Sequence, residues 1–154
     1  MADVVIRQAG ADDALLVAAL HLQSARDLAV PPEPGYLDRV AGVWLSERPD
    51  RPTWIAQSGG SHAGLLEARR IRPLPWPRRP DSSWLHIGLL FVAPDHRGRG
   101  VGRALVEAAV EWCCATDVTR IRLAAPDAAA KEFYERLGFT APGGLLEYDL
   151  RGRA

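Results

Sequence analysis

Lysine is nearly absent from this chain: Lys131 is the only one in 154 residues, and arginine carries the rest of the positive charge. On a solvated surface the two serve equally well, so this reads as coding bias. Excess charge of either sign is missing too, since 19 Lys and Arg balance 19 Asp and Glu. No whole-molecule field then draws nucleic acid or an anionic membrane, and neither is expected as a partner. Cysteine is limited to Cys113 and Cys114. Adjacent cysteines do not readily bridge each other and lack metal-ligand spacing, so both are expected as small buried thiols, with no metal site. No window approaches the ~20 apolar residues of a membrane span. The start, MADVVIRQAG, has no basic region followed by a long apolar stretch. The expectation is a cytoplasmic chain.

Apolar content of 47% and charged content of 25% are ordinary for a globular protein. A length of 154 residues fits one domain with a real core, taken as 1–154. VVIRQA (4–9) reads as a strand, and Asp12 or Asp13 caps a helix carrying Leu15, Leu16, Ala19, Leu20 and Gln23. AVPPEPGY (29–36) interrupts it. A second helix then sets Tyr36, Leu37, Val40, Val43 and Trp44 on one side, until RPDRP (48–52) stops it. Two apolar runs flank Gly59-Gly60, the signature of a tight hairpin. A proline-broken loop covers 72–83, and WLHIGLLFVAP (84–94) is strand-like. Helix follows over 100–114, with Val101, Leu105, Ala108, Ala109 and Trp112 inward. VTRIRLAAP (118–126) reads as strand, 127–139 as helix capped by Asp127 and ended by Gly138, and LLEYDLR (145–151) as a last strand. The order β-α-α-β-β-β-α-β-α-β predicts a mixed α/β sheet in one domain.

The densest signal is HRGRGVGRAL (96–105), where a strand runs into glycines and arginines and then into helix formers. A helix N-terminus presents unpaired N–H groups and partial positive charge, and glycines let backbone approach a ligand closely. Such a place suits phosphate, and Arg97, Arg99 and Arg103 add charge-assisted donors. A Walker A loop needs a lysine that this segment lacks. A dinucleotide fingerprint starting at Gly98 would need glycine at 103, where Arg103 stands. What fits is R-x-x-G-x-G, filled by Arg97, Gly100 and Gly102.

That pattern resembles the coenzyme A loop of the GNAT superfamily of acetyl-CoA-dependent N-acetyltransferases. LLFVAPDHRGRGVGRALVEAAV looks like the family's strand-loop-helix in full, and DAAAKEFYERLGF like its second signature, usually N-x-x-A-x-x-x-Y-x-x-x-G-F. The order of elements is similar across nearly all of the chain. The resemblance implies the acyl-CoA N-acyltransferase-like fold, a mostly antiparallel mixed sheet flanked by four helices. It implies acetyl-CoA as co-substrate, an amine acceptor, direct attack in a ternary complex, and no metal; a homodimer is compatible with it.

Roles follow residue by residue from the resemblance. Gly98, Gly100, Val101 and Gly102, with Arg97, Arg99 and Arg103, would hold the pyrophosphate. The backbone of Leu90, Phe91 and Val92 would pair with the pantetheine arm and point an N–H at the thioester oxygen. Gly88 inside an apolar strand hints at a bulge, which in the family splays the strand from its neighbour and opens the coenzyme slot. Without a bulge, alternation sets 86, 88 and 90 on one face. Tyr134 matches the family's general acid for the departing thiolate; its alternative is a core tyrosine among Phe133, Leu137 and Phe139. Asp127 departs from the usual Asn: it caps equally well but lacks the amide donor toward pantetheine. Candidate bases are His86, eleven residues before Arg97, and Glu67 on the neighbouring strand. A sheet histidine, a solvent-facing glutamate and a water chain are the alternatives.

The Arg/Pro segment RRIRPLPWPRRP (69–80) reads as a solvated loop that would, if anything, gate the acceptor cleft or hold the coenzyme's 3′-phosphate. In this fold the region of the first two helices and the last strands shape the acceptor side. The acceptor itself stays open: a small amine, an antibiotic, a polyamine and a protein N-terminus or lysine all satisfy the sequence. The competing hypothesis is a catalytically silent coenzyme A-binding sensor or partner domain.

Overall fold

The computed structural model describes residues 3–151. They form two compact units, one running to Leu123 and the other starting at Ala124. The first holds β1 (Val4–Gln8), α1 (Ala14–Asp27), α2 (Tyr36–Glu47), β2 (Thr53–Ser58), β3 (Ser61–Ile71), β4 (Ser83–Val92), α3 (Val101–Cys114) and β5 (Val118–Arg122). Short 3₁₀ turns at 11–13, 48–50 and 94–96 precede α1, β2 and the glycine loop. The second unit holds α4 (Ala128–Arg136). No described helix is long and apolar enough to cross a membrane.

The sheet runs in the order β1-β2-β3-β4-β5. The first four strands form an antiparallel meander, with the β2–β3 hairpin turning at Gly59-Gly60 as expected, and β5 joins β4 in parallel after the α3 crossover. Opposed residues of an antiparallel pair share a face, so alternation splits the sheet cleanly. Ile55, Leu65 and Phe91 pack with Val17, Ala18 and Leu20 of α1 and Ala41 and Trp44 of α2. Trp54 faces the other way and meets Trp112 of α3 edge-on at 5.9 Å. Leu105, Val106 and Ala109 of α3 are buried with it.

Several expectations are corrected. The sixth strand does not form among the described residues: 144–150 has no regular structure, and Leu145 and Leu146 are exposed. The Asp149 carboxylate accepts the Arg151 N–H at 2.8 Å, a local turn that competes with extension. Strand alternation in the sequence says nothing about whether a neighbour offers a ladder. Cys114 is exposed while Cys113 is buried, because adjacent helical residues lie about 100° apart and cannot both face one sheet. Burial pushes the Cys113 thiol up to about 11. Leu15 points outward on α1, and on α2 only Ala41 and Trp44 are buried, leaving Leu37 and Val43 exposed. Part of the α2 stripe is therefore uncovered, which matters below.

Asp13 begins α1 but spends its carboxylate elsewhere. It takes both Arg7 terminal nitrogens at 2.8 and 2.9 Å and the Gly10 N–H at 2.8 Å, tying β1 to the entrance of α1. The Arg7 hydrogen bond is the main cause that lowers Asp13 to about 2 from 3.8. A carboxyl with a depressed folded-state pKa stabilises above its unfolded value, and that contribution is lost as pH falls through the folded one. The gap in urea midpoint between wild type and Asp13→Asn is therefore expected to close between about pH 4 and pH 2; a gap constant over that range would remove the pair from the acid response.

Candidate active site

The bulge predicted at Gly88 is present. Glu67 opposes Leu89 and Ala68 opposes Ile87, so Gly88 is the extra residue on β4. It breaks parity as a bulge must: His86 lies opposite Arg69 and Leu89 opposite Glu67, on one face, while Leu90 opposes Leu66 on the other. The far edge of β4 is open over the same stretch. β5 pairs only with Ser83–His86, so the edge of Leu90, Phe91 and Val92 turned away from β3 has no strand partner among the described residues. On that edge the Val92 carbonyl accepts Arg97 Nε at 3.0 Å, and the remaining backbone groups are left for a ligand or for water.

This open edge leads into the glycine loop. Gly98 and Gly100 have φ of +74° and +80°, a region that other residues rarely adopt. Gly100 is the N-cap of α3 and offers no side-chain cap. The first α3 bond is from the Ala104 N–H to the Gly100 carbonyl at 3.0 Å. The N–H groups of Val101, Gly102 and Arg103 therefore have no partner within the helix. The three arginines differ in their commitments. Arg97 is built into the loop: its Nε donates to the Val92 carbonyl at 3.0 Å and its Nη2 meets Asp27 at 2.5 Å. Arg103 pairs with Glu107 at 2.8 Å, an exposed contact of small worth. Arg99 has no ion-pair partner among the described residues, which leaves it open to an anion.

On the α1/α2 face, a cavity of about 260 Å³ is lined by Val17, His21, Arg39, Val40, Val43, Trp44, Arg51 and Glu67. Glu67 is buried, with an exposure of 7%. Its Oε1 accepts Arg51 Nη1 at 2.8 Å, and Arg51 Nε donates to Glu47 at 2.5 Å. Oε2 has no donor among the described residues and leans over the bulge: a Cβ at Gly88 would lie 2.6 Å from it. Any side chain at 88 would have to push that carboxylate aside. Thr53 opposes Glu67 and bonds the Trp44 indole N–H at 3.0 Å, which fixes the cavity floor. Burial holds the half-buried His21 imidazole below its ordinary value, while the charge of Glu67 opposes that shift.

His86 is exposed, in register between Arg69 and Arg122. The Arg/Pro loop is exposed between β3 and β4; Arg72 pairs with Asp50 and Arg70 with Asp117. In the second unit, the Asp127 carboxylate caps α4 by accepting the Ala130 N–H at 2.8 Å. Tyr134 is buried, edge-on to Phe133 at 5.1 Å and Phe139 at 5.2 Å. Burial pushes its hydroxyl up to about 12. His21 and Arg51 escaped the sequence reading: His21 sits in an ordinary amphipathic pattern, and Arg51 in a segment read only as a helix stop. The one sequence signal at Arg51 was its place before Pro52, a position biased away from helix.

The model of the acetyltransferase (GNAT) family matches residues 19–139. Mycothiol acetyltransferase of Beutenbergia cavernae is 39% identical over 99 residues, covering 63% of this chain and 31% of that protein. An uncharacterized N-acetyltransferase of Methanocaldococcus jannaschii is 27% identical over 107 residues, 62% of this chain and 42% of that protein. The chain thus aligns with less than half the length of these relatives. Among solved structures, a predicted acetyltransferase with acetyl-CoA from Clostridium acetobutylicum superposes with a TM-score of 0.79 at 17% identity, covering 96% of this chain and 97% of that one. The likeness in fold and the match to the family model, with the glycine loop at the head of α3, establish that this chain belongs to the acetyltransferase (GNAT) family.

Proposed function

We propose that this chain is an acetyl-CoA-dependent N-acetyltransferase in which a primary amine attacks the thioester directly in a ternary complex. The observation that carries the reading is the continuous run of an unpaired β4 edge into a positive-φ glycine loop and an uncapped helix N-terminus. The edge suits the amides of a pantetheine arm, and the N–H groups of Val101, Gly102 and Arg103 suit a pyrophosphate. Asp127 uses one carboxylate oxygen in capping and donates nothing, so the β4 edge carries the pantetheine contacts.

The chemistry needs a neutral amine. An alkylammonium of pKa roughly 10.4 is deprotonated in only about one molecule in 10³–10⁴ at pH 7. Glu67 receives that proton, directly or through a water, and holds the ammonium before it leaves; its free Oε2 at the bulge suits it better than exposed His86. Nitrogen then attacks the carbonyl carbon, the C–S bond breaks, and the proton that nitrogen sheds passes to the departing sulfur, so amide and free thiol result. By its match to the family's second signature, Tyr134 is assigned the hydrogen bond to the departing sulfur. Its hydroxyl, near 12, is a far weaker acid than an ordinary thiol at roughly 8.5, so its service is the hydrogen bond rather than full proton transfer. A hydrogen bond to a charged group contributes about 1.5–3 kcal/mol. Tyr134→Phe is therefore expected to lower kcat by about 10- to 150-fold with coenzyme affinity unchanged. An unchanged single-turnover rate would remove Tyr134 from the mechanism.

Thermal shift with acetyl-CoA, CoA, ATP and NAD, followed by thiol release in the presence of amines, tests the whole reading. A shift with acetyl-CoA and CoA together with thiol release supports it. A shift without release by any amine favours a silent coenzyme-binding domain, and no shift overturns both. Gly88→Ala is a sharper probe. Its methyl group must displace the Glu67 carboxylate, so turnover is expected to fall at least about 10-fold while acetyl-CoA still raises the melting temperature. Full turnover in that variant would detach Glu67 from the chemistry.

A further inference from the structure

We infer that the acceptor is a small monocationic amine with a compact apolar body and no carboxylate, seated in the α1/α2 cavity with its ammonium on Glu67. The inference rests on the proposed N-acetyltransferase reading and adds the acceptor class to it. Three observations on the cavity lead there.

The first is charge. Glu47, Arg51 and Glu67 form one hydrogen-bonded cluster with two carboxylates and one guanidinium, a net charge of −1. His21 adds none, since burial keeps its imidazole neutral at neutral pH. Arg39 is paired with Glu33 and lies 5.8 Å over the Tyr36 ring. The polar end therefore attracts one cation, through the oxygen of Glu67 that lacks a donor. A carboxylate on the acceptor would find Arg39 and Arg51 already occupied, which disfavours free amino acids.

The second is the wall. Val17, Val40, Val43 and Trp44 line the rest, and the indole N–H of Trp44 is already satisfied by Thr53. A second ammonium, as in a polyamine, or a ring of hydroxyls, as in an aminoglycoside, would be stripped of water there with nothing to replace it.

The third is size. An apolar cavity of about 150 Å³ takes up benzene. One of about 260 Å³ has room for an aryl or branched alkyl group on a short arm. Val43 also gains a role: it is exposed on α2 because the face it lines is left for a ligand.

The experiment is a homologous series, propylamine to hexylamine with phenethylamine, run against spermidine, an aminoglycoside and a lysine-containing peptide. Each added methylene is expected to raise kcat/KM about fourfold until the cavity fills, a gain of about 0.8 kcal/mol per buried methylene. Val43→Trp, which fills the mouth, and Val43→Ser, which makes it polar, should both flatten that slope and leave the acetyl-CoA thermal shift unchanged. A flat slope in the wild type, or preference for spermidine, the aminoglycoside or the peptide, overturns the inference. Binding of the same amines to the coenzyme-free chain, followed by the His21 imidazole resonances, separates the two readings. If acetyl-CoA gives no shift, the enzyme reading fails, while graded amine binding still supports the pocket assignment and its absence overturns it.

Discussion

Glu67→Gln is expected to lower kcat/KM by about 10²–10⁴-fold with acetyl-CoA affinity unchanged, the range for losing a positioned acid or base. The substitution keeps size and keeps an oxygen for Arg51 Nη1, which stands 2.8 Å from the native carboxylate. What it removes is the charge and the proton acceptor over the bulge. Arg51 is not stranded, because Glu47 still accepts from its Nε at 2.5 Å, so the fold is expected to survive. A readout independent of turnover exists. The Glu67 charge raises the His21 pKa against the larger lowering by burial. Without that charge, the His21 titration followed by NMR should move further down. His86→Ala serves as the comparison and is expected to leave both the rate and its pH profile in place. If His86→Ala instead abolishes an inflection near neutrality while Glu67→Gln stays active, the base is His86.

The legible and illegible parts of this site differ in how their residues are arranged. The glycine loop was readable because the whole stretch is contiguous: strand end, glycines, arginines and helix start fall within residues 90–103. The bulge was readable because one glycine interrupts an apolar strand, although its cause, the Glu67 carboxylate in the space of a Cβ, needed the β3–β4 register. The Glu67 cluster was not readable. Glu47 and Arg51 stand four residues apart, but Glu67 joins them only because Thr53 opposes it, which brings Arg51 diagonally across on the same face. The α2 stripe was seen but its meaning was not: periodicity marks apolar positions, and only the fold tells which half is core, as with Trp44, and which lines an open cavity, as with Val43. The strand expected at 145–151 failed for the opposite reason, since alternation is local and a ladder is not.

Gly100→Val is expected to weaken acetyl-CoA binding by at least about 10²-fold. Gly100 holds φ +80° and ψ +10° as the N-cap of α3. For a β-branched residue that conformation is an outlier, and holding it costs on the order of 1–3 kcal/mol. Space in the free protein is not the obstacle, because nothing lies within 4 Å of a Cβ built at this position. The strain is instead relieved by turning the peptide, which re-aims the N–H groups of Val101, Gly102 and Arg103 that would face the pyrophosphate. Hydrogen bonds to a charged group contribute about 1.5–3 kcal/mol each, so misaligning two of them is enough for the expected loss. The helix itself has little at stake, since the bond from the Ala104 N–H to the Gly100 carbonyl involves no side chain. The urea midpoint should fall by no more than the strain accounts for. Gly100→Asn separates conformation from bulk: asparagine tolerates the left-handed region, so whatever affinity it loses beyond wild type measures the side chain against the ligand. The difference between Asn and Val then measures the backbone. Near-normal acetyl-CoA binding by Gly100→Val, read by isothermal titration, would move the coenzyme away from the head of α3.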